Sequence, residues 1–328
     1  MRRRTVLALG VLALAGGCGA PAPSYRGEIS LLVPGPPECW GDGVARSLKS
    51  LIEARRWARR VLITRDAQGG GASALGRFAA GRADRLMVAD PLLLADCALG
   101  DAPGDAPGDT PGDVGSFAAR TVPLARLAGE WQVLVASPGS GYRTFEQVAA
   151  ALLNTPERVK VAGGPDRGPG HLLLGLTARG LGADPRLAAY EAFDSPARAV
   201  AAVAEGTTAL AFGGRGDVAA HVRAGRLRPL AVSSPERLPG LDAPTLAESG
   251  VRVAYANWTG LLAPLGVTAR ERDALTDLCR AVVDSPAWLR LCERNGWTPM
   301  WLAGAEFRQW LTGEARRTAL LLDDLGIR

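Results

Sequence analysis

A β-branched run, Val159-Lys160-Val161, gives way to Gly163-Gly164-Pro165-Asp166-Arg167-Gly168-Pro169-Gly170, a loop with four glycines in eight residues. His171-Leu172-Leu173-Leu174-Gly175-Leu176 then continues with helical character. This order of strand, glycine loop and helix start constrains the fold because it recurs along the chain. Glu28–Val33 is a short apolar strand ending in Pro34-Gly35-Pro36-Pro37-Glu38-Cys39-Trp40-Gly41, and Asp42 is a good N-cap for a helix from Gly43 to about Ala58. A strand at Val61–Thr64 leads through Gln68-Gly69-Gly70-Gly71 to a helix over 72–80 and a third strand, Arg85–Ala89. Such repetition predicts an α/β fold with a parallel sheet, whose ligand crevice lies beyond the carboxyl ends of the strands. Unpaired amides at a helix start, approached through glycine, suit an anion. The plain alternative is that these loops are only turns.

Trp131–Ser137 reads as the strand opening a second α/β unit. A helix over 144–153, the 159–176 unit, a helix over 197–204, a strand over 209–212, a helix over 217–224 and a strand over 230–233 follow. Residues 251–262 are extended, and the pattern is helical from Ala269 onwards, with 306–325 strongly amphipathic. The expected division is 25–130 plus 260–328 for one lobe and 131–259 for the other, with a cleft between them. Residues 100–113 repeat Gly-Asp-Ala-Pro-like tetrapeptides that cannot bury a core and read as a flexible surface loop. The recurrent aspartates do not have EF-hand spacing.

Residues 1–17 combine Arg2-Arg3-Arg4, a short apolar run and small residues, which describes an export signal too short to span a membrane. Cys18 directly after the small residues resembles a bacterial lipobox, so the mature chain would begin at a lipidated Cys18 tethered by 18–24. Ordinary cleavage with an incidental cysteine is the alternative. Loss of the three arginines leaves about +2 of the formal +5 charge. With only Lys49 and Lys160 as lysines and no basic face interleaved with aromatics, nucleic acid is not an expected partner. In an oxidising compartment Cys279 and Cys292 could bridge a helical hairpin, leaving Cys39 to pair with Cys97.

Enzyme signatures are absent: no Walker lysine, no HExxH and no Gly-x-Ser-x-Gly elbow occur. No cofactor fingerprint is present, and with two histidines, His171 and His221, there is no zinc spacing. His171, in the first turn of a helix, suits a hydrogen bond to a ligand or a loop carbonyl better than general-base work. Gly213-Gly214-Arg215-Gly216-Asp217 is a third glycine loop, where Arg215 either forks onto a carboxylate or is simply solvated. Asp194 or Ser195 caps the helix from Pro196. Trp40 walls the cleft or simply packs.

Several of these residues fall into a known pattern. Val33-Pro34, Pro37, Asp42 and Ala45-Arg46 are in register with V-P-F-x-P-G-G-x-x-D-x-x-A-R, and Gly163-Gly164…His171-Leu172 resembles a G-G-x-x-G-x-x-H-L loop. The match continues through Ala224-Gly225-Arg226-Leu227-Arg228-Pro229-Leu230-Ala231-Val232-Ser233, Pro244-Thr245-Leu246-Ala247-Glu248-Ser249-Gly250 and Asn257-Trp258-Thr259-Gly260. Over essentially the mature chain it resembles the Bug-type extracytoplasmic solute receptors of tripartite tricarboxylate transporters.

The resemblance implies a two-lobed, type II periplasmic-binding-protein fold that closes on a citrate-like di- or tricarboxylate. Loop amides would hold the carboxylates, with ligand roles carried to Pro37, Trp40, Gly41, Asp42, Gly163, Gly164, Gly168 and His171. Gly70 and Gly71 match more loosely. Glu38 and Cys39 replace the family's glycine pair, while Pro165 and Pro169 remove amide donors. The implied partners are a small carboxylate and the membrane permease subunits of the transporter. A monomer held at the outer face of the cytoplasmic membrane by its lipid is expected. The competing readings are an orphan ligand-sensing lipoprotein without a permease and, last, an enzyme using His171.

Overall fold

The computed structural model describes residues 25, 27–35, 37, 39–66, 70–79, 85–100 and 119–327. The export signal, Cys18, the 18–24 tether and residues 101–113 of the repeat lie outside the described residues.

Two sheets share one strand. The first contains β1 (Glu28–Val33), β2 (Arg60–Arg65), β3 (Arg85–Ala89), β4 (Thr121–Ala136), β9 (Ala256–Pro264) and β10 (Thr298–Ala303). β1 lies parallel between β2 and β3, and β9 runs antiparallel to both β3 and β4. The second sheet contains the end of β4 with β5 (Lys160–Gly163), β6 (Ala189–Ala192), β7 (Leu210–Gly214) and β8 (Arg228–Val232). β4 pairs with β9 over Thr121–Trp131 and with β7 over Gln132–Ala136, so it changes sheets between Trp131 and Gln132. The sequence expectation of a strand starting at Trp131 is therefore corrected: the strand begins ten residues earlier. Pro123, Arg126, Gly129 and Glu130 interrupt its apolar pattern, and two register shifts against β9 absorb the irregularity.

Helices cover both sheets. They are α1 (Trp40–Ala54), α2 (Gly70–Ala79), α3 (Pro91–Leu99), α4 (Phe145–Asn154), α5 (Pro169–Leu181), α6 (Pro196–Ala204), α7 (Arg215–Arg223), α8 (Ala269–Val283), α9 (Pro286–Asn295) and α10 (Gly304–Asp324). α1 starts earlier than expected, with Cys39 as its N-cap, and Asp42 lies inside the first turn. There its charge still faces the helix dipole favourably. α3 has Asp90 as its cap, accepting from Leu93 N at 2.9 Å, and Pro91 in its first turn. The carboxy-terminal stretch is not wholly helical, because Thr298–Ala303 pairs antiparallel with β4.

Four buried clusters flank the two sheets. α10 serves both: Phe307, Leu311 and Ala315 pack with Trp258 at the first sheet, and Ala319, Leu321 and Leu322 pack with Leu172 and Leu173 at the second. Burial of apolar surface from both sheets under one helix couples their stability. The expected disulfides are corrected: no bridge links Cys39, Cys97, Cys279 and Cys292. Cys279 and Cys292 instead pack as thiols in the same core, where burial pushes their pKa values up to about 12 and about 11. Among the described residues no helix is long and apolar enough to cross a membrane.

Candidate functional site

A cavity of about 1170 Å³ opens between the two sheets. On one side stand Pro37, Cys39, Trp40 and Arg46, from the β1–α1 loop and α1. Pro165, Phe193, Asp194, Ser195, Arg198 and Asp217 face them from the loops that start the helices of the second sheet. Both sets lie beyond the carboxyl ends of parallel strands, where the βα loops of an α/β sheet converge.

β4, which joins the sheets, and its neighbour β9 supply the floor. Glu130 of β4 and Asn257 of β9 are register partners, both buried, and both line the cavity. Glu130 Oε1 accepts a long hydrogen bond from Gly216 N, 3.4 Å, at the start of α7. Burial, and secondarily the charge of Asp217, push its pKa well above the usual carboxylate range. Asp217 is itself raised by burial, against a hydrogen bond from Gly214 N.

One wall is an aromatic corner. Trp40 meets Trp297 edge-on, with ring centroids 5.1 Å apart, and Trp297 also leans on Trp288. The indole N–H of Trp40 has no hydrogen-bond partner among the described residues. Arg46, Arg198 and Arg294 add positive charge at the rim. Arg46 lies 3.5 Å from Asp42 and Arg198 lies 3.0 Å from Asp194. The ensemble of apolar wall, donors and guanidinium groups suits a small organic anion.

Several anticipated residues are placed elsewhere. Asp42 is fully buried and takes a 2.7 Å hydrogen bond from Arg65, so it anchors α1 to β2. Gly41 is buried against Val88 and Val33. α2 begins at Gly70, and Gly71 N donates to Asp96 at 2.8 Å. Gly71 does not line the cavity. Arg215 also stays out of the lining, beside Gly296, while its neighbours Gly216 and Asp217 are in it.

The 163–171 loop is tied to itself, and Pro165 is its contribution to the lining. A Cβ on Gly163 would stand 2.2 Å from the hydroxyl of Tyr190, and one on Gly164 3.0 Å from Pro196. Tyr190 donates to Gly164 O at 3.0 Å, and Gly168 N donates to Pro165 O at 3.0 Å. His171 stacks on Tyr190 with centroids 4.4 Å apart. Its Nδ1 lies 2.7 Å from Asp166 Oδ1 and 3.2 Å from Arg167 N, so it clamps the loop whichever way its proton sits. Burial lowers the His171 pKa, against the opposing pull of Asp166. Ser195, as expected, caps α6 by accepting from Arg198 N at 3.4 Å.

Glu130, Arg294 and Trp297 were not anticipated. Glu130 was discoverable only as a lone acid inside an apolar run, and Arg294 and Trp297 arrive from a distant carboxy-terminal helix end. Among the described residues no group of three His, Cys, Asp or Glu side chains gathers to hold a metal.

The comparisons with known proteins agree with one another. The family model described as "Tripartite tricarboxylate transporter family receptor" matches residues 117–327. Protein BugT of Bordetella pertussis is 25% identical over 332 residues, which is 99% of this chain and 98% of BugT. A TctC solute-binding protein from Polaromonas, solved without ligand, superposes with a TM-score of 0.70 at 18% identity, over 92% of this chain and 99% of that one. MatC from Rhodopseudomonas palustris, solved with bound malate, gives a TM-score of 0.68 at 20% identity, over 92% and 99%. Another R. palustris protein, solved with adipate, gives 0.70 at 19%, over 93% and 98%. These likenesses identify the two-lobed α/β fold of periplasmic binding proteins of the TctC type.

Proposed function

Because the chain belongs to the tripartite tricarboxylate transporter family of receptors, and is thus a solute-binding receptor and not an enzyme, we propose that it captures a small di- or tricarboxylate between its lobes. The observation that carries this reading is the cavity of about 1170 Å³ with its Trp40–Trp297 corner and its rim of Arg46, Arg198 and Arg294. MatC with malate and the relative with adipate bind dicarboxylates in the same fold, which supports the class of ligand. In this proposal, residues 25–130 with 260–328 and residues 131–259 act as the two lobes. They move about β4 and β9 while Pro37, Trp40 and Pro165 close on the ligand.

The protein is exported, its mature end is the lipidated Cys18, and it delivers its ligand as a monomer to the membrane subunits of the transporter. The arginine-rich export signal and the lipobox-like position of Cys18 support that placement.

Thermal unfolding of the purified mature chain with malate, adipate and citrate tests the binding reading. Ligand at a hundred times its Kd adds about 2.7 kcal/mol of stability. An unchanged unfolding midpoint across the whole carboxylate panel would count decisively against it.

A further inference from the structure

Behind the cleft lies a second cavity, of about 360 Å³, on the opposite face of the same two strands. Neighbouring side chains on a strand point to opposite faces. Glu130 and Asn257 accordingly line the cleft, whereas Trp131, Ala256 and Trp258 line the rear cavity. α5 and α10 enclose it with Leu172, Leu176, Trp310 and Leu321. The volume is at the small end of what ligand pockets occupy.

Its charge is one-sided. Arg126, Arg179, Arg252 and Arg317 border it against a single acidic residue, Glu314. Arg317 donates to Glu314 with Nε at 3.1 Å, and Arg179 pairs with Asp324 at 2.7 Å. Arg126 has no such carboxylate among the described residues: its guanidinium stacks 4.3 Å above the Trp310 ring, and its Nε donates to Met300 O at 3.1 Å. Burial lowers its pKa, and the charge of Glu314 offsets that only in part.

Two further groups lining this cavity are unsatisfied. The Tyr255 hydroxyl and the Trp258 indole N–H are buried and have no hydrogen-bond partner among the described residues. A half-buried arginine with no carboxylate at ion-pair distance among the described residues, offset only in part by the charge of Glu314, beside orphaned polar groups and a wall of leucine and tryptophan, is poorly served by the protein alone.

We propose that the rear cavity is a second binding site, for an organic anion with an apolar body such as a medium-chain carboxylate. The carboxylate head sits against Arg126, and the chain lies along Leu172, Leu176 and Trp131. The site does not depend on which solute enters the cleft, since β4 and β9 separate the two.

Octanoate is the probe. Titrated into the mature protein, it should change tryptophan emission saturably with a Kd below about 1 mM, because three tryptophans line the site. Arg126→Met removes the head contact, and Leu176→Trp fills the space for the chain. Each should weaken binding by at least about tenfold while unfolding, followed by circular dichroism, stays cooperative. Malate at saturation should leave octanoate binding in place. The proposal is overturned by no saturable signal up to about 10 mM octanoate. It is overturned equally by native affinity in Arg126→Met, or by competition with malate, which would move the probe into the cleft. Should Leu176→Trp not fold, Arg126→Met decides alone.

Discussion

The guanidinium of Arg167 lies 3.7 Å from the carboxylate of Asp96, joining the 163–171 loop of the second sheet to α3 beside the first. Arg167 makes this contact from a left-handed backbone, with φ of 62°. A side chain at such a φ costs about 1 kcal/mol or more relative to glycine. Arg167→Gly should therefore unfold at a higher temperature than Arg167→Ala, the difference amounting to about 1 kcal/mol. Equal midpoints would mean that the loop relaxes out of this conformation.

Gly163 sets how closely the loop packs on Tyr190. A methyl group at this position would stand only 2.2 Å from the Tyr190 hydroxyl, so Gly163→Ala must displace the ring stacked on His171. The expected destabilisation is about 1–3 kcal/mol in urea unfolding, the usual cost of overpacking. Native stability in that variant would show that the Tyr190–His171 stack does not constrain the loop.

Burial is the main cause that pushes Asp90 up to about 6 from an ordinary 3.8, with the charge of Asp96 adding to it and the hydrogen bond from Leu93 N opposing it. The folded state thus holds this proton more tightly than the unfolded chain. Its stabilising contribution is complete below about pH 4 and is lost as pH rises through about 6. Asp90→Asn keeps an acceptor for Leu93 N and removes the ionisation. It should flatten the stability profile across that window and raise the midpoint at pH 7 by about 2–4 °C. A lower midpoint at pH 7 would show that the ionised cap outweighs its burial.

Glu130 should give carboxylate binding a pH dependence. Asp217 of α7 and the Gly216 N–H face it, and Asn257 of β9 stands beside it on the floor. Protonated, Glu130 presents no charge to an entering anion; ionised, it repels one. Calorimetric affinity for malate should fall as rising pH ionises Glu130, whose pKa burial holds well above the usual carboxylate range, by roughly tenfold for like charges a few ångströms apart. Glu130→Gln should abolish most of that fall, and an equally steep profile in the variant would clear Glu130 of the effect.

Reductant should leave the protein unmoved. A bridge between Cys279 and Cys292 would contribute about 3 kcal/mol by restricting the unfolded chain. Without it, the unfolding midpoint is the same with and without dithiothreitol, and both thiols alkylate in denaturant before any reduction. A midpoint that drops on reduction would restore the bridge.

Much of the fold was legible because local signals and tertiary pairing agree. Glu28–Val33 and Arg85–Ala89 are strands with the expected ends, and Ser195 caps α6 as its sequence context suggests. The failures lie where distant partners decide. Thr298–Ala303 became a strand because β4 offers it an edge, and α3, apolar around most of its circumference, carries no helical stripe to read. In the candidate site the glycine loops were found, but a glycine needed for close packing and one needed for a ligand look alike in sequence. At Gly163, Gly164 and Gly71 the neighbouring side chains leave little or no room for a Cβ. Glu130, Asn257, Arg294 and Trp297 converge only through topology, so no spacing along the chain announces them.

The passage of β4 from one sheet into the other has a consequence for how the molecule can be divided. Residues 121–131 complete one ladder and residues 132–136 the next, without a linker between them. α10 in turn seals a core on each side. Cutting between Trp131 and Gln132 would leave each half with an open sheet edge and an uncovered apolar face. Neither half is a self-sufficient folding unit, so the two sides of the cleft must be made, folded and lost together.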